Sequence, residues 1–243
     1  MIVFVHGVPE TAAIWRKVRA LVGGESVALE LPGFGCPRPE GFGATKDDYA
    51  AWLAGELAKF DEPVDLVGHD WGALLTYRIV ATHGELLRSW VADVAGGIHR
   101  EAVWHAFAKI WQTPGEGEAF FEKQLAAGPE ASAGRYEGLG LSPEDALELA
   151  AGADPAMASS ILDLYRSSTP NVHADWGPVK PSSTPGLVLH ASEDPFSGEK
   201  RAVATAEQLG ARYERLDGVG HFWPYQAPEL GVAVMQDFWS SLS

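Results

Sequence analysis

Short apolar runs, bounded by glycine, proline or polar residues, alternate with stretches of helical periodicity in the first part of the chain. Runs rich in β-branched residues predict buried strands, and apolar residues three or four positions apart predict the inner face of a helix. The alternation indicates a parallel sheet joined by crossover helices. The predicted strands are residues 2–5, 26–29, 64–67 and 89–94; the predicted helices are a segment carrying Ile14, Trp15, Val18 and Leu21, then residues 44–60 and 73–82.

The strand rhythm stops in the middle of the chain. There, helical fragments rich in alanine, glutamate and aromatic residues are separated by breakers such as Pro114-Gly115 and Gly128-Pro129. Because no repeat or low-complexity linker marks a second domain, we predict one α/β core with an inserted helical cap. The core is residues 1–96 and 182–243, the cap is residues 97–181, and the resumed elements are strands at 187–190 and 211–216, a helix at 203–209 and a closing helix from Pro228.

Composition limits the possible partners. The chain has 243 residues, 46% of them hydrophobic, which is enough for one substantial core. It carries 18 Lys and Arg against 33 Asp and Glu, a net charge of -15, so its field repels nucleic acids and anionic membranes. The single cysteine, Cys36, excludes an intrachain disulfide, and the sequence shows neither a signal peptide nor a membrane-length apolar run. We expect a cytoplasmic protein that binds neither nucleic acids nor membranes, with its oligomeric state left open.

One charged residue lies in a turn between a predicted strand and a predicted helix. In Gly68-His69-Asp70-Trp71-Gly72, glycines stand two positions before and after Asp70. A sharp strand-to-helix turn needs such small residues to lift one side chain above the sheet, as the nucleophilic serine of esterases is lifted. Asp70 could instead be an ordinary cap of the following helix.

Two further residues follow in the order that such sheets impose, which is nucleophile, acid, histidine. Asp194 follows the strand ending at His190, and His221 lies in a glycine-containing loop after the last predicted strand. Asp93 is a rival for the acid, because it ends the strand before the insertion. Each signal is weak alone, but their order and context together predict a catalytic triad of Asp70, Asp194 and His221.

These motifs resemble the epoxide hydrolase and haloalkane dehalogenase branch of the α/β-hydrolase superfamily, and are most similar to the epoxide hydrolases. The resemblance implies an α/β-hydrolase fold, with a mostly parallel sheet flanked by helices. Relatives usually have a β-hairpin before the first strand seen here, so either the hairpin is missing or the natural start lies upstream. The matching stretches are His6-Gly7-Val8-Pro9-Glu10, Leu31-Pro32-Gly33-Phe34-Gly35, Gly68-His69-Asp70-Trp71-Gly72 and Gly220-His221-Phe222.

The resemblance also implies roles for particular residues. The amides of Val8 and Trp71 would form the oxyanion hole, and the Val8-Pro9 bond would be cis. A carboxylate nucleophile suits displacement at saturated carbon, because Asp70 would form an alkyl ester that water can hydrolyse. His221 would activate that water and Asp194 would orient the imidazole. No cofactor is expected, and the spacing of the histidines suggests no metal site.

The residues that receive the leaving group separate the two chemistries. Epoxide hydrolases usually protonate the ring oxygen with two cap tyrosines, and Leu164-Tyr165-Arg166 is similar to the segment that carries one of them. The other tyrosine is missing, since Ile110 and Trp111 occupy its region, although Tyr136 could substitute or a single donor could suffice.

A dehalogenase would need N–H donors for halide, which Trp71 and either Trp104 or Trp111 could supply. Against this, Val8 stands where many haloalkane dehalogenases have asparagine. We therefore favour an epoxide hydrolase that acts on a small hydrophobic substrate, with Trp104, Trp111 and Phe222 contacting it. A haloalkane dehalogenase is the main alternative, and a non-catalytic binding protein on this fold is a further one.

Overall fold

A parallel sheet organises the computed structural model, which describes residues 1–242. The strands lie in the order β2-β1-β3-β4-β5-β6, and each neighbouring pair is parallel. The carboxyl ends of all these strands therefore meet at one edge. The strands are β1 (Ile2–Val5), β2 (Ser26–Leu29), β3 (Val64–Gly68), β4 (Leu87–Ala92), β5 (Gly186–Ala191) and β6 (Arg212–Leu216).

Helices connect the strands, and a group of them is inserted between β4 and β5. None of the helices within residues 1–242 is long and apolar enough to cross a membrane. The connecting and closing helices are α1 (Arg16–Val22), α2 (Lys46–Leu57), α3 (Trp71–Thr82), α10 (Glu199–Leu209), α11 (Trp223–Gln226) and α12 (Pro228–Ser240). The inserted helices are α4 (Ala106–Gln112), α5 (Glu116–Ala127), α6 (Pro129–Glu137), α7 (Pro143–Ala151), α8 (Pro155–Arg166) and α9 (His173–Trp176).

Burial explains why β3 forms the centre of the sheet. Every residue of the sequence Val-Asp-Leu-Val-Gly in β3 is buried, as expected for a strand covered on both faces. The one charged member, Asp65, is compensated by the hydroxyl of Ser89 at 2.6 Å and by an ion pair with Arg88.

The helix α2 begins at a capping box in which Thr45 and Asp48 satisfy each other's backbone N–H groups.

Several predicted elements begin or end a few residues away from their bounds in the structure, and two of these differences have a clear physical cause. The first predicted helix is divided into a 3₁₀ turn, Ala12–Trp15, and α1, and this changes which residues face the core. Leu21 is consequently 43% exposed, whereas Val22 packs inside. The fourth strand ends at Ala92, before the predicted end at Val94, because Val94 has a φ of +38° and turns the chain away.

Candidate active site

Asp70 lies in a tight turn between β3 and α3. Its φ is +51°, a conformation that non-glycine residues rarely adopt. The turn brings backbones very close together: a Cβ added at Gly68 would lie 2.4 Å from the carbonyl oxygen of Gly72, and one added at Gly72 would lie 2.2 Å from that of Val5. Glycine is therefore required at both positions, and the turn directs Asp70 above the carboxyl edge of the sheet.

The two carboxylate oxygens of Asp70 have different surroundings. Oδ1 accepts the backbone N–H of Val8 at 2.8 Å, from the turn that follows β1. Oδ2 lies 3.8 Å from Nε2 of His221. The Val8-Pro9 bond is cis, as the resemblance implied. One oxygen is thus held by an amide while the other stands near the imidazole.

The structure brings His221 together with Asp194. Nδ1 of His221 lies 3.0 Å from Oδ2 of Asp194, and Oδ1 of Asp194 accepts the N–H of Phe196 at 2.7 Å. The loops after the adjacent strands β5 and β6 supply these two side chains. Among the two acids considered from sequence, Asp194 is therefore the partner of this imidazole.

Asp93 has another place, beneath the turn of residues 68–72 that carries Asp70, which we call the elbow. Its Oδ1 accepts the backbone N–H of Asp70 at 2.9 Å. Its Oδ2 accepts from the indole of Trp223 at 2.7 Å and lies 2.5 Å from Nδ1 of His69. On the other side of the His69 ring, Nε2 is 3.0 Å from Oε1 of Glu10. Asp93 therefore anchors the elbow from below.

Glu10 links this network to the turn that holds the nucleophile. Its Oε2 accepts the N–H of Gly7 at 2.7 Å, one residue before the amide that binds Asp70. Sequence reasoning did not assign roles to Glu10, His69 or Trp223. The signal was available in part, because Glu10 and His69 lie inside the two matching motifs.

Burial and neighbouring charges shift the pKa values of the charged groups of the site. Burial raises the pKa of Asp70 to about 6, although the nearby His221 opposes the rise. Burial also opposes charging of His221, but the carboxylate of Asp194 outweighs it and raises the pKa of the imidazole. In the same way, Asp93 and Glu10 overcome burial and raise the pKa of His69 well above its ordinary value.

The protonation of His69 bears on a possible metal site. Glu10, His69 and His221 place one potential ligand atom each within 4.8 Å of one another. A metal-binding imidazole must offer a free lone pair, whereas a protonated His69, ion-paired with Asp93 and Glu10, offers none. This cluster is better described as a buried ion-pair network than as a metal centre.

Two adjoining cavities lie above Asp70, between the sheet edge and the inserted helices. Both are open to solvent, and the empty space in them, counted together with the solvent at their mouths, is about 600 Å³ in one and about 570 Å³ in the other. Asp70, His105, Tyr165 and Phe196 line both of them. The first cavity is also lined by Val8, Trp111, Tyr136, His221 and Phe222, and the second by Trp71 and Trp104.

The tryptophan N–H groups differ in availability. The indole N–H of Trp104 donates to the carbonyl oxygen of Ser168 at 3.0 Å, so it is not a free donor for substrate or halide. The buried indole nitrogens of Trp71 and Trp111 have no hydrogen-bond partner among the described residues. Of the three indoles considered from sequence, these two keep a free N–H group.

Tyr165 lies among these rings. Its side chain is only 2% exposed, and its ring centroid is 5.4 Å from that of Trp71 and 4.9 Å from that of Trp111. Burial and the charge of Asp70 raise the pKa of Tyr165 well above its ordinary value, so the phenol keeps its proton. Tyr165 and Asp70 therefore line the same two cavities.

Fold and site together define the class of protein. The Alpha/beta hydrolase family matches residues 2–234, and the chain belongs to this family. A search of the curated proteins found no match.

Among solved structures, the chain is similar to the haloalkane dehalogenase DbeA from Bradyrhizobium elkani USDA94, with a TM-score of 0.76 and 21% identity over 99% of this chain and 90% of that one. It is also similar to an epoxide hydrolase from Bacillus megaterium in complex with an inhibitor, with a TM-score of 0.75 and 19% identity over 98% of this chain and 93% of that one. At such identities, these likenesses establish the shared fold.

Proposed function

We propose that this protein is an epoxide hydrolase that opens epoxides to vicinal diols through a covalent ester on Asp70. The observation that carries the proposal is the position of Tyr165, whose protonated phenol lines the same two cavities as Asp70. An epoxide oxygen needs a proton when its ring opens, and a phenol of raised pKa keeps that proton until an alkoxide forms.

In the first step, Oδ2 of Asp70 attacks a ring carbon. A bond forms between this oxygen and the carbon, and the C–O bond of the epoxide breaks with its electron pair left on oxygen. That oxygen takes the proton of Tyr165. Oδ1 is bound to the amide of Val8, so it becomes the carbonyl oxygen of the new ester.

In the second step, water attacks the ester carbonyl of Asp70. His221 accepts one proton of the water, and its imidazolium is stabilised by Asp194. The amide of Val8, with that of Trp71, stabilises the oxyanion of the tetrahedral intermediate. As the intermediate collapses, the bond between the former ester carbon and the substrate oxygen breaks, and that oxygen takes the remaining proton of the added water. This restores the carboxylate and completes the diol, and the proton on His221 returns through solvent to the Tyr165 phenolate.

The second candidate is a haloalkane dehalogenase with the same nucleophile. The buried indole N–H groups of Trp71 and Trp111, which have no partner among the described residues, favour it, because such donors can bind a halide leaving group. The Tyr165 hydroxyl would have no proton to deliver in that reaction. We favour the epoxide reaction because it uses this hydroxyl.

An activity screen separates the two candidates. Purified protein is incubated with aryl and alkyl epoxides and, in parallel, with chloro- and bromoalkanes of matched length, and diol and halide are measured separately. We expect diol from the epoxides and little halide. Halide release without diol formation would favour the dehalogenase, and binding without turnover of either class would contradict both.

A further inference from the structure

His105 lies where the two cavities meet, directly before α4. Its ring centroid is 5.0 Å from that of Phe196 and 6.1 Å from that of Tyr165. Phe196 in turn packs against the ring of His221 at 4.9 Å. His105 is therefore a titratable side chain at the reacting region, and the two-step scheme leaves it without a role.

A hydrogen bond fixes the tautomer of His105. Its Nδ1 accepts the backbone N–H of Ala108 at 3.2 Å, which caps the first turn of α4. An accepting nitrogen carries no proton, so the proton of the neutral ring is on Nε2. Burial and the charge of nearby His221 lower the pKa of His105 to about 4, so the ring stays neutral near pH 7. Nε2–H is thus a permanent donor on the side of the ring opposite the capping bond.

We propose that the Nε2–H group of His105 is the second hydrogen-bond donor to the epoxide oxygen, acting beside the hydroxyl of Tyr165. The inference rests on the proposed epoxide hydrolase function. As the C–O bond breaks, the oxygen takes the proton of Tyr165, while His105 keeps its own proton and stabilises the developing charge. This division follows from acidity, because a neutral imidazole N–H is a much weaker acid than a phenol.

The position of His105 also compensates for the missing second tyrosine. Neither Ile110 nor Trp111 offers a hydroxyl group, and Tyr136 lines the first cavity only. His105, like Tyr165, lines both cavities with Asp70, and these shared residues surround the region where a bound epoxide would meet the nucleophile. A donor at this place serves the oxygen whichever cavity holds the rest of the substrate.

A matched pair of substitutions separates the role of His105 as a donor to substrate from its hydrogen bond to Ala108. His105→Phe keeps an aromatic ring but removes both nitrogens, whereas His105→Gln places an amide N–H near the position of Nε2. Both variants lose the bond to Ala108, so both should lower the melting temperature by a similar amount. We expect single-turnover alkylation by an aryl epoxide to fall on the order of 100-fold in His105→Phe and to recover largely in His105→Gln.

A third variant covers the case in which these proteins fold poorly. His105→Asn keeps an oxygen that can cap α4, but its amide nitrogen falls short of the position of Nε2. Its melting temperature should therefore stay near that of the wild type while alkylation slows. In every variant that folds, hydrolysis of the preformed ester should proceed at the wild-type rate, because the ring oxygen has already been protonated.

The outcomes distinguish this inference from the proposed function. If the wild type makes diol but His105→Phe and His105→Asn alkylate at its rate, His105 is not a donor and only the inference fails. Equal slowing in the Phe and Gln variants would assign the effect to the lost hydrogen bond to Ala108 and would overturn the inference as well. If the wild type forms no diol, the epoxide hydrolase function fails, and the inference fails with it.

Discussion

At the scale of single residues, Asp70 combines a positive φ with a half-buried carboxylate whose pKa is raised to about 6. Both features disfavour the folded state, and both follow from placing a reactive group above the sheet edge. Such unfavourable free-energy contributions are typical of functional sites, where the surrounding structure enforces a conformation that is unfavourable for the residue itself.

The raised pKa of Asp70 predicts a stability effect of known sign. Because the unfolded carboxyl ionises near 3.8 and the folded one near 6, folding stability is lost as pH rises between these values, by on the order of 3 kcal/mol. Asp70→Asn keeps the acceptor for Val8 but removes the charge, so it should lose all turnover and be more stable than the wild type at pH 8.

Chemical denaturation at pH 8 and at pH 3.5 checks this prediction. The difference between Asp70→Asn and the wild type should nearly vanish at the lower pH, where both side chains are neutral. A variant that is less stable at pH 8, or that retains turnover without reverting to aspartate by mass spectrometry, would contradict it.

The pH dependence of the two half-reactions should differ. Alkylation needs ionised Asp70, so its rate should fall as pH drops through about 6. Ester hydrolysis needs neutral His221, whose pKa is raised above 6.5, so its rate should still be rising with pH above that value. Stopped-flow measurement of the two phases between pH 5 and 9 would show the separation. Identical profiles for both phases would argue against these two assignments.

Tyr165 provides the residue-level test of epoxide chemistry. Tyr165→Phe preserves the packed ring and removes only the hydroxyl, so stability should change little. We expect the single-turnover alkylation rate with epoxides to fall on the order of 100-fold. Halide release from any haloalkane the protein accepts should be unaffected, which makes a haloalkane the internal control. Unchanged epoxide opening would remove the main support for the proposed reaction.

At the scale of elements, the elbow depends on β1, β3 and α3 approaching more closely than side chains permit. A methyl group at Gly72 would meet the backbone oxygen of Val5 at 2.2 Å, which cannot rotate away. The first turn of α3 would have to move from β1, and Asp70 would move with it.

Gly72→Ala should therefore destabilise the protein by about 1–3 kcal/mol and reduce alkylation sharply. Gly55→Ala is the matched control, because a Cβ at this position in α2 meets nothing within 4 Å and alanine favours helix. Thermal unfolding should show a loss for the first variant and no loss for the second. Equal melting temperatures would mean that the close approach does not constrain the elbow.

At the scale of the whole molecule, the sequence predicted those features that arise from local pattern. The parallel sheet followed from apolar runs, and Asp70, Asp194 and His221 followed from their positions after the third, fifth and sixth strands. The role of Asp93 could not be predicted in this way, because its donors come from residues 69, 70 and 223, which only the folded chain brings together. His105 was missed for the same reason, since nothing in its local sequence places it beside Tyr165.

The central claim is that Asp70 forms a covalent ester that His221-activated water hydrolyses. His221→Gln removes the base and leaves the nucleophile, so incubation with an aryl epoxide should trap the ester. Intact-mass spectrometry should then show one added epoxide mass, mapped to Asp70 by peptide analysis and absent from the Asp70→Asn/His221→Gln double variant. An epoxide that the wild type converts to diol but that leaves no adduct on His221→Gln would contradict the claim.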